Sequence, residues 1–152
     1  MLIGVISDTH GLLRPEAVDA LAGSDLILHA GDVGAPGILE KLAKIAPVIA
    51  VRGNVDSGEW SAGLRDHERI ECEGASLYML HDVNTLDLDP AAAGIHAVIS
   101  GHSHKPALKK REGVLYLNPG SAGPRRFKLP VAMARLRIED RKLAAEQVIL
   151  QD

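Results

Sequence analysis

The stretch Leu2-Ile3-Gly4-Val5-Ile6-Ser7-Asp8-Thr9-His10 decides how the rest of the chain is read. It is a short, mostly apolar run, Leu2–Ser7, bounded by Asp8, and it reads as a buried strand. The arrangement recurs twice. Leu26–Ala30 is a second apolar run, ending at Gly31-Asp32, and Val48–Val51 is a third, ending at Arg52-Gly53-Asn54. Two helical segments lie between them. Pro15 suits the first turn of one, with Ala17, Val18 and Leu21 on one face and Gly23 as its stop. In the other, Ile38, Leu39, Leu42, Ile45 and Ala46 recur at helical spacing from Pro36 until Pro47 ends it. The order is β-α-β-α-β, and apolar strands joined by helices imply a parallel sheet covered on both faces.

Beyond residue 60 the pattern turns to β. Glu68–Glu73 and Ser76–Leu80 read as strands around a turn at Gly74, and Ala97–Ser100 as a buried strand. Pro106–Glu112, Val114–Leu117, Val131–Ile138 and Lys142–Leu150 follow, with turns at Glu112-Gly113 and Asp140-Arg141. Asp89–Ala93 is expected to form a short helix. Lys142–Leu150 is ambiguous, because Ala144, Ala145 and Glu146 favour helix. A βα half followed by a β-rich half implies an α/β protein with two mixed sheets packed face to face and helices outside, a four-layer α-β-β-α sandwich. No repeat, low-complexity tract or linker breaks the chain, so residues 1–152 read as a single domain.

Composition excludes several function classes. A chain of 152 residues can bury a full core without disulfides or a structural metal, so any metal here serves chemistry. Cys72 is the only cysteine and cannot make an internal disulfide, a zinc ribbon or an iron–sulfur cluster. Aromatic residues are 3% of the chain (Trp60, Tyr78, Tyr116 and Phe127), too few for a platform that stacks a nucleic-acid strand. The start lacks a charged region followed by a long apolar one, and no apolar run is long enough to cross a bilayer. The expectation is a cytoplasmic protein without a membrane partner. Lys105, Lys109, Lys110, Arg111, Arg125, Arg126 and Lys128 stand against Glu112 alone, in a chain whose net charge is −3. This basic segment is either a set of solvated faces or a field for an anionic substrate.

The chemistry gathers at strand ends. Five separate apolar runs end in metal-ligand side chains: Asp8-Thr9-His10, Gly31-Asp32, Gly53-Asn54, His81, and Gly101-His102-Ser103-His104. In open α/β sheets ligands bind at the carboxyl ends of the strands, so five such tips can converge on one crevice. Gly31, Gly53 and Gly101 each precede a candidate ligand, where glycine lets the backbone approach without a Cβ clash. Taken singly, each piece has an ordinary structural explanation. His102 and His104 together are harder to bury without a cation, and the ordered set is harder still to obtain by accident.

That ordered set, Asp8-x-His10, Gly31-Asp32, Gly53-Asn54, His81 and Gly101-His102-x-His104, resembles the calcineurin-like metallophosphoesterases. Asn54-Val55-Asp56 and Asn118-Pro119-Gly120-Ser121 resemble the small bacterial and archaeal phosphodiesterase branch of that family. The resemblance runs from residue 8 to residue 121 and implies the same four-layer sandwich. It implies that Asp8, His10, Asp32 and His104 hold one metal ion, and that Asp32, Asn54, His81 and His102 hold a second, with Asp32 as the bridge. Histidines, carboxylates and one amide oxygen suit Mn²⁺ first, then Ni²⁺, Co²⁺, Fe²⁺ or Zn²⁺, ahead of Mg²⁺ and Ca²⁺. Water between two such ions falls in pKa from about 15.7 toward neutrality and can attack phosphorus in line. No side-chain nucleophile is needed, so Ser7, Ser103 and Ser121 are expected to support loops.

Two departures from the family pattern bear on the chemistry. Many relatives place a histidine after the metal-binding Asn, where it helps protonate the leaving group; here the position is Val55. Many also place glycine after the histidine matching His81, where this chain has Asp82, read as a loop cap. Asn54 and Asp56 are the candidate catalytic residues, Asp56 as an orienter of a ligand or the substrate, or else as a turn residue. His67 is expected in solvent and His96 in a local hydrogen bond. His29 is the one candidate to support the ligands from behind.

The resulting expectation is a dinuclear-metal phosphodiesterase acting on a small phosphodiester or nucleotide. The alternative is a non-catalytic metal-binding interaction scaffold, resembling the retromer subunit of this family. Against it stand seven intact ligand positions. A doubly wound nucleotide-binding switch lacks both G-x-G-x-x-G and G-x-x-x-x-G-K-[ST]. Nucleic acid ranks below a small diester as partner, and a homo-oligomer is left open.

Overall fold

The computed structural model describes residues 1–151. Its first sheet contains β1 (Leu2–Ile6), β2 (Leu26–His29), β3 (Val48–Ala50), β9 (Val131–Glu139) and β10 (Lys142–Gln151), in the order β10-β9-β1-β2-β3. β1, β2 and β3 run parallel, as the β-α-β-α-β reading requires, while β9 and β10 add antiparallel pairs. The second sheet contains β4 (His67–Cys72), β5 (Ala75–Leu80), β6 (Ala97–Ile99), β7 (Ala107–Arg111) and β8 (Val114–Asn118), in the order β4-β5-β6-β8-β7. There β5, β6 and β8 are parallel.

Side chains alternate across a strand with period two, and the core follows that rule. Ile3 and Val5 of β1 and Leu26 and Leu28 of β2 pack with Leu77 and Met79 of β5 and Ile99 of β6 in the layer between the sheets. The intervening Ile6 and Ile27 face outward, against Ala17 and Leu21 of α1 (Pro15–Leu21) and Ile38 and Leu42 of α2 (Pro36–Ala43). Val18 departs from its expected place on the buried face and is exposed, because a seven-residue helix presents only a narrow stripe to the sheet.

The outer face of the second sheet has thinner cover. Tyr78, Leu80 and Val98 pack under Leu86, Leu88, Ala93 and Ile95, which follow a 3₁₀ turn at Val83–Thr85. The helix expected over Asp89–Ala93 is instead a turn. Ala93 N–H donates to Asp89 O (3.0 Å), but Ile95 N–H reaches back to Pro90 O (2.9 Å) and Gly94 takes φ 75°. A left-handed residue there ends the helical path.

Lys142–Gln151 is a strand despite its helix-favouring residues. It pairs with β9 from Lys142↔Glu139 to Gln151↔Val131, across a turn in which Asp140 and Arg141 have φ 48° and 70°. Positive φ at both central residues is the hairpin turn that matches strand twist, and continuous pairing outweighs local propensity. Among the described residues, no helix is long and apolar enough to cross a membrane.

Candidate metal centre

The parallel strands of both sheets aim their carboxyl ends at one region. Asp8 and His10 follow β1, Asp32 follows β2, Asn54 follows β3, His81 follows β5 directly, and His102 and His104 follow β6. The loops are tied to one another by backbone bonds: Asp8 N–H to Gly31 O (3.0 Å), His10 N–H to Asp32 O (2.9 Å) and Gly101 N–H to His81 O (2.9 Å). The approach is so close that a Cβ on Gly53 would collide with the Asp32 backbone, and one on Gly101 with the Ser7 hydroxyl. Five of the candidate ligands carry positive φ: Asp8 (55°), His10 (47°), Asp32 (57°), His102 (71°) and His104 (64°). Left-handed backbone costs an L-residue roughly 1–2 kcal/mol, a strain that surrounding structure must hold in place.

The ligand atoms meet in two overlapping groups. In each of Asp8–His10–His104 and Asp8–Asp32–His81, one ligand atom per residue lies within 4.8 Å of the others. Asp32 Oδ2 stands 3.6 Å from His10 Nε2 and 3.3 Å from His81 Nε2, a placement from which it would hold an ion on either side. Asp8 Oδ1 stands 3.4 Å from His104 Nε2 and 3.9 Å from both His10 Nε2 and His81 Nε2. Asp8 therefore borders both groups, which its expected assignment to one ion did not include. His10 Nε2 and His104 Nε2 face each other at 3.4 Å, and His102 Nδ1 faces His81 Nε2 at 3.3 Å.

Several observations fit a bound metal. Asp8 Oδ1 is buried and makes no hydrogen bond, while Asp8 Oδ2 accepts from the Ser7 hydroxyl (2.7 Å) and from His102 N–H (3.1 Å). The protein thus fixes one oxygen and leaves the other facing three imidazoles. Asp32 repeats the device, with Oδ1 accepting from Val55 N–H (3.0 Å). His81 Nδ1–H donates to Ala30 O (2.7 Å), which leaves the Nε2 lone pair toward the carboxylates.

The electrostatics agree. Burial by itself would raise Asp32, but hydrogen bonds from His81 and the Val55 amide, with the field of His81 and His10, hold its carboxyl well below the usual range. Burial lowers the affinity of His81 for a proton, yet Asp32, Ala30 O and Asp8 outweigh it and raise the imidazole above its ordinary value.

Asn54 and His102 are less enclosed. Asn54 is exposed, and no hydrogen bond joins its side chain to the others. His102 keeps 44% of its side chain in solvent, with Nε2 3.9 Å from Asp82 Oδ2. Asp82 also accepts from Asn84 N–H (3.0 Å), capping the 3₁₀ turn as expected. An open cleft of about 450 Å³ runs from Asn54 and His81 past Arg52, Asp66, Asp82 and Asp87.

Asp56, expected to orient a ligand or the substrate or else to sit in a turn, lies behind the ligand loops. Its carboxylate accepts N–H bonds from Val33 (3.2 Å), Gly34 (2.9 Å) and Gly53 (2.9 Å), tying the loop after β2 to the loop after β3. With both oxygens on backbone amides, it positions the segments that carry Asp32 and Asn54. His67 is exposed and stacks on Tyr78, and His96 Nδ1 accepts from Ser76 N–H (2.9 Å).

His29 does support the site. Gly31 N–H donates to its Nδ1 (3.1 Å), and the Thr9 hydroxyl donates to Val33 O (2.9 Å), so His29 Nε2–H donates to Thr9 Oγ1 (3.0 Å). Complete burial pushes its pKa down to about 4, against the nearby Asp8 and Asp56. The sequence reading assigned no role to Asn118, the last residue of β8. Its amide donates to Gly101 O (2.9 Å) and Ser103 Oγ (3.1 Å), and its Oδ1 accepts from Gly120 N–H (2.9 Å). The signal was its place at a sixth strand end, in Asn118-Pro119-Gly120-Ser121.

Comparison with known proteins agrees with this geometry. The chain is 40% identical over 158 residues to a probable metallophosphoesterase of Methanothermobacter thermautotrophicus, covering 96% of this chain and 91% of that one. Its fold superposes on an archaeal phosphodiesterase with a TM-score of 0.80 at 22% identity, covering 97% of this chain and 100% of the other. It superposes on Zn²⁺-complexed Vps29 of Entamoeba histolytica with a TM-score of 0.79 at 23% identity, covering 99% and 100%. Residues 1–141 match the calcineurin-like phosphoesterase superfamily domain. With that match, the strand-tip ligand set and the relatives' metallophosphoesterase character, this chain belongs to the calcineurin-like phosphoesterase superfamily of metal-dependent hydrolases.

Proposed function

We propose that this protein is a phosphodiesterase that uses two divalent transition-metal ions, Mn²⁺ foremost, to hydrolyse a small phosphodiester or nucleotide. The observation that carries the reading is the Asp32 carboxylate, set between His10 and His81 with its second oxygen pinned by the Val55 amide. Two ions bound there would lower the pKa of water and neutralise charge on the phosphoryl oxygens.

The chain's own residues favour attack by water over a covalent route. The Ser7 hydroxyl donates to Asp8 Oδ2, the Ser121 hydroxyl donates to Asp8 O (3.0 Å), and Ser103 Oγ accepts from Asn118. All three hydroxyls are spent on the loops. Val55 is 49% exposed, beside Asn54, and offers no proton to a departing alkoxide. General acid catalysis contributes typically ~10²–10⁴-fold, so its absence favours substrates whose leaving groups depart without help.

The test is a metal-resolved assay over aryl phosphodiesters, alkyl monoesters and cyclic nucleotides. Chelation should abolish turnover, and Mn²⁺, Ni²⁺ or Co²⁺ should restore it. Diesters should outrun alkyl monoesters, with log(kcat/KM) falling steeply as leaving-group pKa rises. Full turnover in chelator would refute the metal requirement, and a flat line would mean that another group already protonates the leaving oxygen.

A further inference from the structure

The loop from Gly123 to Pro130 has no part in the metal centre, yet it is rooted against it. Ala122 N–H donates to Ser7 O (3.0 Å), and Ala132 N–H donates to Ser121 O (2.9 Å), which closes the base of the loop. At Gly123 a Cβ would collide with the backbone oxygens of Thr9 and Asp8, the segment that presents Asp8 and His10. Arg14, ahead of α1, holds the same root by donating from Nε to Gly123 O (3.1 Å). The root is therefore locked to the metal-ligand backbone.

Its tip is the opposite. Arg126, Phe127 and Lys128 are exposed, Phe127 at 89%, and Leu129 N–H donates to Arg126 O (3.2 Å) to close a turn. Phe127 takes φ 56° in that turn, which is an outlier for a bulky residue. The chain has one phenylalanine, and it stands in water on strained backbone, between two cations. Neither core packing nor turn chemistry calls for a ring there, since Gly, Asn or Asp would hold the same backbone at lower cost. The tip lies four residues from Gly123, so it reaches at most ~13 Å from the root. It is thus tethered close to the Asp8–His10 segment, and none of its residues lines the cleft bordered by Asp66, Asp82 and Asp87. An anionic group is repelled from that acidic side and drawn to the basic loop.

We propose that this loop is a nucleoside clamp: Phe127 stacks on the base of a nucleotide or nucleoside phosphodiester whose phosphate occupies the metal centre, while Arg126 and Lys128 offset its negative charge. One ring suits a single base rather than a strand, which separates this site from a single-stranded nucleic-acid platform. The proposal deepens the phosphodiesterase reading and rests on it for the phosphate's position.

Two measurements test it, only one of which needs turnover. The first follows the single Phe127 resonance in zinc-loaded protein labelled with fluorophenylalanine. Adenosine 5′-monophosphate should shift it saturably and ribose 5-phosphate should not. An unmoved resonance, or equal shifts from both, overturns the clamp. The second compares thymidine 5′-(p-nitrophenyl phosphate) with methyl p-nitrophenyl phosphate, which share a leaving group. Phe127→Ala should raise KM for the nucleoside diester roughly 5- to 100-fold at unchanged kcat and leave the methyl diester unaffected. Equal effects on both substrates also overturn the clamp. Failure of the parent protein to cleave either diester refutes the diesterase reading, while the resonance shift still decides the clamp.

Discussion

Asp8, Asp32, His81 and His104 sit under the strand-end loops with almost no solvent contact, whereas Asn54 and His102 form an exposed rim of the ligand set. On the buried side the protein spends backbone amides, a hydroxyl and a carbonyl on three of the four ligands: Ser7 and the His102 amide on Asp8, the Val55 amide on Asp32, Ala30 O on His81. At the rim, no hydrogen bond among the described residues fixes the Asn54 side chain, and His102 Nδ1 faces His81 with Nε2 near Asp82. The buried side is preorganised, so it sets where metal sits. The rim is adaptable, so it suits exchange of substrate and water.

The sharpest way to break this comparison is one substitution on each side. Asp32→Asn removes the charge between His10 and His81 and should cut turnover at saturating metal by on the order of 10²–10³-fold, with the second metal equivalent lost in elemental analysis. His102→Ala should weaken metal binding while a measurable fraction of turnover returns at high Mn²⁺. Equal damage from both would show that rim and floor act as one unit.

The buried side also predicts an acid-sensitive fold. His29 has a folded pKa of about 4 against an ordinary value of 6.5, because complete burial disfavours the charged ring and Gly31 N–H already occupies Nδ1. The unfolded chain then binds a proton that the folded chain refuses. Stability from this residue is complete above about pH 6.5, falls as pH drops, and is fully lost below about pH 4, a span of about 3 kcal/mol. Denaturant unfolding of the metal-free protein at pH 7.5 and 4.5 measures the slope. His29→Gln should flatten it relative to the parent, and an unchanged slope would contradict the neutral, hydrogen-bonded imidazole.

The smallest expected effects lie at the histidines outside the cluster. His67→Ala removes an exposed ring stacked on Tyr78, and His96→Ala removes an acceptor for Ser76 N–H. Both should leave turnover at saturating metal unchanged, and His96→Ala should cost about 1 kcal/mol in denaturant unfolding. A loss of turnover in His67→Ala matching that in Asp32→Asn would undo the division of the histidines.

Much of this protein is local in origin and therefore readable along the chain. The apolar runs Leu2–Ser7, Leu26–Ala30 and Val48–Val51 and the helical spacing after Pro36 mark the β-α-β-α-β half before any contact is known. The ligand side chains are equally legible, because each follows an apolar run and loops at strand ends face one crevice. What tertiary structure alone decided depends on partners distant in sequence. Lys142–Gln151 is a strand because β9 pairs with it from Lys142 to Ile149 and again at Gln151, although its alanines and glutamate favour helix. Asp56 resembles an isolated turn residue until Val33 and Gly34 approach it from the loop after β2. The left-handed backbone of Asp8, His10, Asp32, His102 and His104 has no signature in composition, since strain of that kind persists only where surrounding loops hold it. Residue types and their order depend on the chain alone, while the direction in which each carboxylate oxygen or imidazole nitrogen points depends on hydrogen bonds between segments dozens of residues apart.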